Sequence, residues 1–290
     1  MSEPREPFDK RQIARHFSAA ASGYDERAVL QAQVAEELVS RLELVDIRPH
    51  RILDLGAGTG RAARLLSARY RRSRVLLLDI ASGMLQRARH RQTRWFSRTS
   101  LCCGDAESLP LASGSMDLIC SNMTLQWCDD LAAVLRECRR VLSPQGLLCF
   151  STLGPDTLNE LRQSWAQVDG LNHVSTFIDM HDIGDALLRC GFREPVLDVE
   201  RYTLTYNDVM GLLRDLQGLG ATNAVSNRRR SLTGKHALQQ MIQAYEAFRR
   251  EGLIPASFEV VYAQAWCGED KPGAPSEAYF PLRRLRRRTE

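Results

Sequence analysis

Apolar residues along the chain follow two different spacings, and the change of spacing marks the parts of the molecule. From residue 9 to 44 the spacing is helical. Ile13, Phe17 and Ala20 share a face of a helix predicted over 9–22, and Val29, Val34, Leu38 and Leu42 share a face of a second over 27–44. Pro49 separates these from short apolar runs that alternate with helical segments. Strands are predicted at Arg51–Leu55, Arg74–Ile80, Ser100–Gly104, Met116–Ser121 and Leu147–Thr152. Helices are predicted at Thr59–Tyr70, Ser82–Arg91, with Ser82 as its N-cap, and Leu131–Val141. Such alternation predicts an α/β fold, a mostly parallel twisted sheet with helices on both faces. Beyond Thr152 the rhythm loosens. Helices are expected over 155–168, 179–190, 207–217 and 233–250, strands over 196–206 and 256–266, and a loose tail over 268–290.

Composition narrows the class without identifying it. The chain has 290 residues, a formal charge of +4 and eight cysteines. That length suits one elaborated domain. No apolar run approaches the ~20 residues of a membrane span, so no stable membrane insertion is expected. The N-terminal residues lack the apolar core of a secretory signal, and the cysteines show neither CxxC pairs nor zinc spacing. Buried, reduced thiols in a cytoplasmic protein are expected, with no metal. Charge is uneven: eleven arginines and one acid, Asp79, lie between Arg61 and Arg98, and five arginines lie between Arg283 and Arg288. Such blocks attract polyanions, but the modest net charge argues against a dedicated nucleic-acid binder.

Four blocks carry candidate chemistry. Asp54-Leu-Gly-Ala-Gly-Thr-Gly60 follows a strand and opens a helix. Gly56, Gly58 and Gly60, with Ala57 between them, allow a tight turn and bring ligand against backbone at a helix N-terminus. Asp79 ends the next strand, where a carboxylate accepts both hydroxyls of a ribose; Ile80 beside it and Met84 on the following helix join the candidate set. Asp105 and Ala106 end the third strand and suit an adenine amino group and ring edge. Asn122, in Ser121-Asn122-Met123, ends the fourth, at the edge where open α/β sheets bind ligands.

Together these blocks resemble class I S-adenosylmethionine (SAM) methyltransferases, a Rossmann-like fold, over residues 51–152. A nicotinamide dehydrogenase usually shows GxGxxG, whereas residues 56–61 read GAGTGR. Four further stretches resemble the malonyl-[acyl-carrier protein] O-methyltransferases of biotin synthesis over roughly 8–267. They are DKRQIARHFSAAASGYDERAVLQAQVAEELVSR at 9–41, SNMTLQWC at 121–128, STLGPDTLNELRQSWAQVD at 151–169 and GLGATNAVSNRRRSLTGK at 218–235. The resemblance implies an N-terminal helical lid over 1–48, a SAM-binding core over 49–153, a helical cap with C-terminal strands of the same domain over 154–267, and a flexible basic tail over 268–290. It implies SAM as cofactor, S-adenosylhomocysteine as product, and methylation of a malonyl carboxylate into the ester that primes pimeloyl and biotin synthesis. The partner implied is malonyl-acyl-carrier protein, which presents its thioester on a phosphopantetheine arm. A basic rim of Arg228–Arg230, Lys235, Arg249 and Arg250 would meet it.

The residues suit that chemistry. A malonyl carboxylate is ionised near neutral pH, so no general base is needed. Arg228 and Arg230 are the candidates for holding it. Tyr24, in SGYD, is placed to close over the methionine end or touch the acceptor, with His16 and Phe17 beside it. Gln126 and Trp127 are candidates for the acceptor pocket. Another small-carboxylate or quinone-type methyltransferase is the nearest alternative. A methyltransferase-like assembly factor for a respiratory complex is another. A nucleic-acid methyltransferase would be expected to carry a motif such as NPPY where SNMT stands.

Overall fold

The computed structural model describes residues 8–91, 98–169, 171, 173–219 and 234–268. Seven segments pair into one sheet: β1 (Arg51–Leu55), β2 (Arg74–Asp79), β3 (Thr99–Cys103), β4 (Met116–Asn122), β5 (Leu142–Leu153), β6 (Phe192–Tyr206) and β7 (Ile254–Cys267). Their order is β3-β2-β1-β4-β5-β7-β6. The first five run parallel, and β7 lies antiparallel between β5 and β6. The central strands are apolar on both faces because both are covered. Ile52, Leu118, Leu147 and Val260 enter one core layer, and their neighbours Leu53, Ile119, Leu148 and Val261 the other.

Ten helices cover the sheet among the described residues: α1 (Lys10–Ala20), α2 (Tyr24–Arg27), α3 (Val29–Arg41), α4 (Arg61–Arg69), α5 (Ser82–Arg91), α6 (Leu131–Val141), α7 (Asn159–Ala166), α8 (Met180–Arg189), α9 (Val209–Gly218) and α10 (Lys235–Tyr245). Aspartates start four of them. Asp9, Asp130, Asp179 and Asp208 each accept a backbone N–H from the first turn of α1, α6, α8 and α9. No helix among the described residues is long and apolar enough to cross a membrane.

Boundaries shift where the backbone does something local. The helix expected over 27–44 becomes α3 and a 3-10 turn, and Tyr24 opens its own short helix. Ser82 is the first residue of α5. β5 starts at Leu142, because that residue pairs with Met116 before the register shifts around Pro144-Gln145-Gly146. The helix expected from Pro155 starts at Asn159, after a turn in which Leu158 takes a left-handed φ of 54°. Of the cysteines, Cys103 is exposed and Cys102 and Cys190 are half-buried, which corrects the expectation that the thiols are buried; the other five are buried, and all eight are free.

One feature of the sheet shapes the ligand end. Val260 of β7 pairs with Leu153, the last residue of β5, while Ile254–Glu259 pair only with β6. The β6–β7 ribbon therefore overhangs the carboxyl ends of the parallel strands, and α7, α9 and α10 pack on or beside it. Buried Glu160 ties α7 to this overhang: it accepts from the Ser257 amide at 3.1 Å and from the Ser257 hydroxyl at 2.5 Å. Glu160→Ala strands that amide and hydroxyl. It should cost about 2–3 kcal/mol in urea unfolding with an unchanged m-value; a loss below about 0.5 kcal/mol would show that the tie contributes little.

Candidate active site

The glycine turn after β1 is shaped by its own backbone. Gly56, Gly58 and Gly60 all take positive φ, at 71°, 53° and 81°. A Cβ on Gly56 would lie 2.1 Å from the Thr124 hydroxyl, and one on Gly60 would crowd Leu77 and Ala88, so these two glycines are required by packing. A Cβ on Gly58 would meet nothing within 4 Å. That space belongs to a cavity of about 240 Å³ at the carboxyl ends of the strands.

Two carboxylates stand at this turn. Asp79 lines the cavity and fixes the turn: its Oδ2 accepts from the Gly58 amide at 2.8 Å and its Oδ1 from the Ala81 amide at 2.7 Å. Burial pushes its carboxyl up, against amide donors that hold it down. Asp54, 1% exposed, accepts from the Ala63 amide at 2.8 Å through Oδ2, while its Oδ1 has no hydrogen-bond partner. Burial raises its carboxyl to about 7; the Ala63 amide and Arg64 oppose the rise and Asp79 adds to it. A buried, half-satisfied carboxylate and an open glycine cradle fit a ligand that brings N–H donors and positive charge.

The other predicted cofactor residues divide by role. Ile80, Met84, Asp105, Ala106 and Asn122 line the same cavity. Asp54, Ala57 and Gly60 lie outside the lining; Ala57 works through its backbone, its amide donating to Leu78 O and its carbonyl accepting from Gly60. Asn122 is fixed at both ends, donating to Gln31 O at 3.0 Å and accepting from Ser151 Oγ at 3.0 Å.

The N-terminal segment roofs the site and is latched to it at several points. Lys10 Nζ lies 2.7 Å from both Asp105 and Glu107. Burial would lower this ammonium, but the two carboxylates outweigh it and raise it to about 12. Asp25 accepts from Thr59 of the glycine turn at 2.6 Å and pairs with Arg91. An aromatic chain spans the roof: Phe8 to Trp127 at 6.3 Å, Trp127 to Phe17 at 5.4 Å, and Phe17 to Tyr24 at 6.5 Å. Tyr24 lines the cavity and packs with Ala21, Ala81 and Met84. Burial, then Asp79 and Asp25, push its phenol well above its ordinary value, so it stays protonated.

Trp127 also lines the cavity. Gln126 does too, but its amide is spent on the loop, donating to Met123 O at 2.7 Å and accepting from Thr152 at 3.4 Å. Arg228 and Arg230, Arg229 between them and the arginines of 283–288 lie outside the described residues. Sequence reasoning missed Gln31, Arg27 and His173, all in the lining. His173 Nε2 lies 2.9 Å from Asp169, and its ring stacks on Trp165 at 3.8 Å. The pairing could have been suspected from Asp169 standing four residues before His173, but the stacking requires the fold. No cluster of three or more metal-ligating side chains occurs among the described residues.

Fold and site define a class I SAM-dependent methyltransferase. The model of a methyltransferase domain matches residues 53–150. The solved Bacillus subtilis YcgJ protein superposes with a TM-score of 0.57 at 17% identity, covering 81% of this chain and 99% of that one. The [4+2]-cyclase SpnF superposes with a TM-score of 0.51 at 20% identity, covering 81% of this chain and 80% of its own, so the fold by itself does not fix the reaction. Sequence relatives are more specific. Malonyl-[acyl-carrier protein] O-methyltransferase of Methylovorus is 53% identical over 264 residues, 89% of each chain. That of Gallionella capsiferriformans is 48% identical, over 89% of this chain and 91% of its own. The chain belongs to the malonyl-[acyl-carrier protein] O-methyltransferase family.

Asp79→Ala removes a charged acceptor from the cavity and the anchor of the glycine turn. The dissociation constant for SAM should rise about 10–100-fold by calorimetry. Unchanged affinity would remove Asp79 from the site.

Proposed function

We propose that this protein transfers the methyl group of SAM to the free carboxylate of a malonyl thioester on acyl-carrier protein, forming the methyl ester that primes pimeloyl and biotin synthesis. One observation carries the reading: likeness to the malonyl-[acyl-carrier protein] O-methyltransferases extends over 89% of the chain, taking in the lid and cap as well as the cofactor half.

When bound, SAM supplies an electrophilic methyl on a positive sulfonium. Gly58 and Asp79 are the residues proposed to hold its ribose end, Asp105 and Ala106 the adenine, and the free Oδ1 of Asp54 its amino group. The acceptor carboxylate is already ionised, so the site needs alignment and exclusion of water more than proton transfer. Tyr24 fits that demand as a neutral donor, since its raised phenol does not act as a base. The roof of Phe8, Phe17 and Trp127 removes water where two opposite charges disappear together, and apolar surroundings favour that loss of charge.

An anionic acceptor still needs a partner. Among the described residues the basic side chains in the lining are Lys10, Arg27 and His173. Lys10 is held by Asp105 and Glu107. His173, its Nε2–H held by Asp169 and its ring by Trp165, is proposed to donate from Nδ1 to the malonyl carboxylate as an imidazolium, together with Arg228 and Arg230 from the segment outside the described residues. In the proposed carrier rim Lys235 and Arg250 are exposed. Arg249 is a weaker member, because it pairs with Glu246 at 2.5 Å and donates to the carbonyls of Asn207 and Gly252.

Mass spectrometry of malonyl-carrier protein incubated with enzyme and SAM tests the reading. A gain of one methylene unit, lost on mild ester hydrolysis, is expected. Intact SAM binding with no gain would move the protein to another acceptor or to the assembly-factor class. His173→Gln should raise KM for malonyl-carrier about tenfold with SAM affinity within about twofold; equal losses for both ligands would place His173 outside the acceptor pocket.

A further inference from the structure

Two side chains, Arg27 and Tyr206, line both the catalytic cavity and a second, outer groove along α9. The groove measures about 570 Å³, and its other walls include Gly211, Arg214, Asp215 and Gly218. Leu204, Leu216, Leu219 and Phe258 give the catalytic cavity an apolar part of its wall, while Gln31, Thr157 and His173 are polar members of the same lining. The two spaces thus share Arg27 and Tyr206, and the outer groove adds Arg214 and Asp215.

The charges at the junction are arranged, not scattered. Arg27 is about half exposed, and its Nε lies 4.0 Å from Asp215, at the limit of an ion pair. Tyr206 donates to the same Asp215, and burial with that carboxylate pushes its phenol up to about 12, so it remains a neutral donor. Arg214 donates from Nε to Met210 O at 3.1 Å, lies 4.0 Å from Asp208 and is 72% exposed. Among the described residues, Arg27 and Arg214 stand with Asp215 in the groove lining, and Asp208 lies beside Arg214. Two forked guanidinium groups with donors facing solvent suit a phosphate oxygen pair better than a lone carboxylate.

We propose that this groove is the subsite for the phosphodiester at the outer end of the substrate's pantetheine arm. The arm enters between Arg27 and Tyr206, its uncharged chain lies along the Leu204, Leu216 and Phe258 wall, and its phosphate is held by Arg27 and Arg214. The inference rests on the malonyl-thioester reading and adds to it the site that reads the arm.

The test compares kcat/KM for malonyl-phosphopantetheine and malonyl-pantetheine, which differ only in the phosphate. The native enzyme should prefer the phosphorylated arm about tenfold, with the preference shrinking as salt is raised. Arg27→Gln should bring the ratio to within about twofold, and Arg214→Gln should reduce it in the same direction. Because the ratio is taken within one variant, a general loss of folded enzyme does not change it. A native enzyme indifferent to the phosphate, or an Arg27→Gln variant that loses both substrates equally, overturns the subsite. If neither thioester is methylated while malonyl-carrier protein is, the arm is not read on its own and the subsite fails; if malonyl-carrier protein is not methylated either while SAM still binds, the malonyl reading itself fails.

Discussion

The site is organised around two carboxylates buried at the ends of adjacent parallel strands. Asp54 and Asp79 sit at the carboxyl edges of β1 and β2, and burial pushes both toward protonation. Neither carries a side-chain ion pair among the described residues; backbone amides hold them. Removing charge from water without a counter-charge is unfavourable. Burial, opposed only in part by those amides, holds both carboxyls above the ordinary carboxylate range. The Gly58 amide on Asp79 also ties the glycine turn to β2, so this one contact serves both the electrostatics and the shape of the cradle.

The lid depends on that arrangement. Asp25 reaches the glycine turn through Thr59, Lys10 reaches the β3 end through Asp105 and Glu107, and Asn122 on β4 donates to the Gln31 carbonyl of α3. Each latch joins the N-terminal segment to a different strand end. The roof is therefore positioned by the residues around the glycine turn and the strand ends, and its aromatic chain lines the cavity. The overhanging β6–β7 ribbon forms the opposite wall. It brings Leu204, Tyr206 and Phe258 into the cavity lining, far in sequence from the glycine turn and Asp79.

The parallel half of the fold was legible because its signals are local. A strand, a glycine turn and a helix occupy adjacent residues, and Asp79 and Asp105 each end a strand of their own. The resemblance to one methyltransferase family reached further, because the cap carries long distinctive stretches. What stayed hidden depends on contacts between distant segments. Gly60 read as a ligand-contacting residue, yet its missing Cβ makes room for Leu77 and Ala88. Gln126 read as a pocket residue, yet its amide closes a loop against Met123 and Thr152. The overhang of β7 follows from a register that no single strand announces. His173 gains its setting only when the turn after α7 lays it on Trp165.

The most direct test of the buried-carboxylate account is the proton balance of cofactor binding. Burial pushes the Asp54 carboxyl up to about 7, so the protonated form is favoured below that pH and the ionised form above it. A ligand ammonium favours the ionised form and lowers this value, so binding releases a proton below about pH 7 and none well above it. Calorimetry of S-adenosylhomocysteine binding in buffers of different ionisation enthalpy measures that release. The account predicts a release near pH 6 that fades by about pH 9, and that is absent in Asp54→Asn after the ligand's own ionisation is matched. Equal proton balances for the native protein and Asp54→Asn across that range would contradict it.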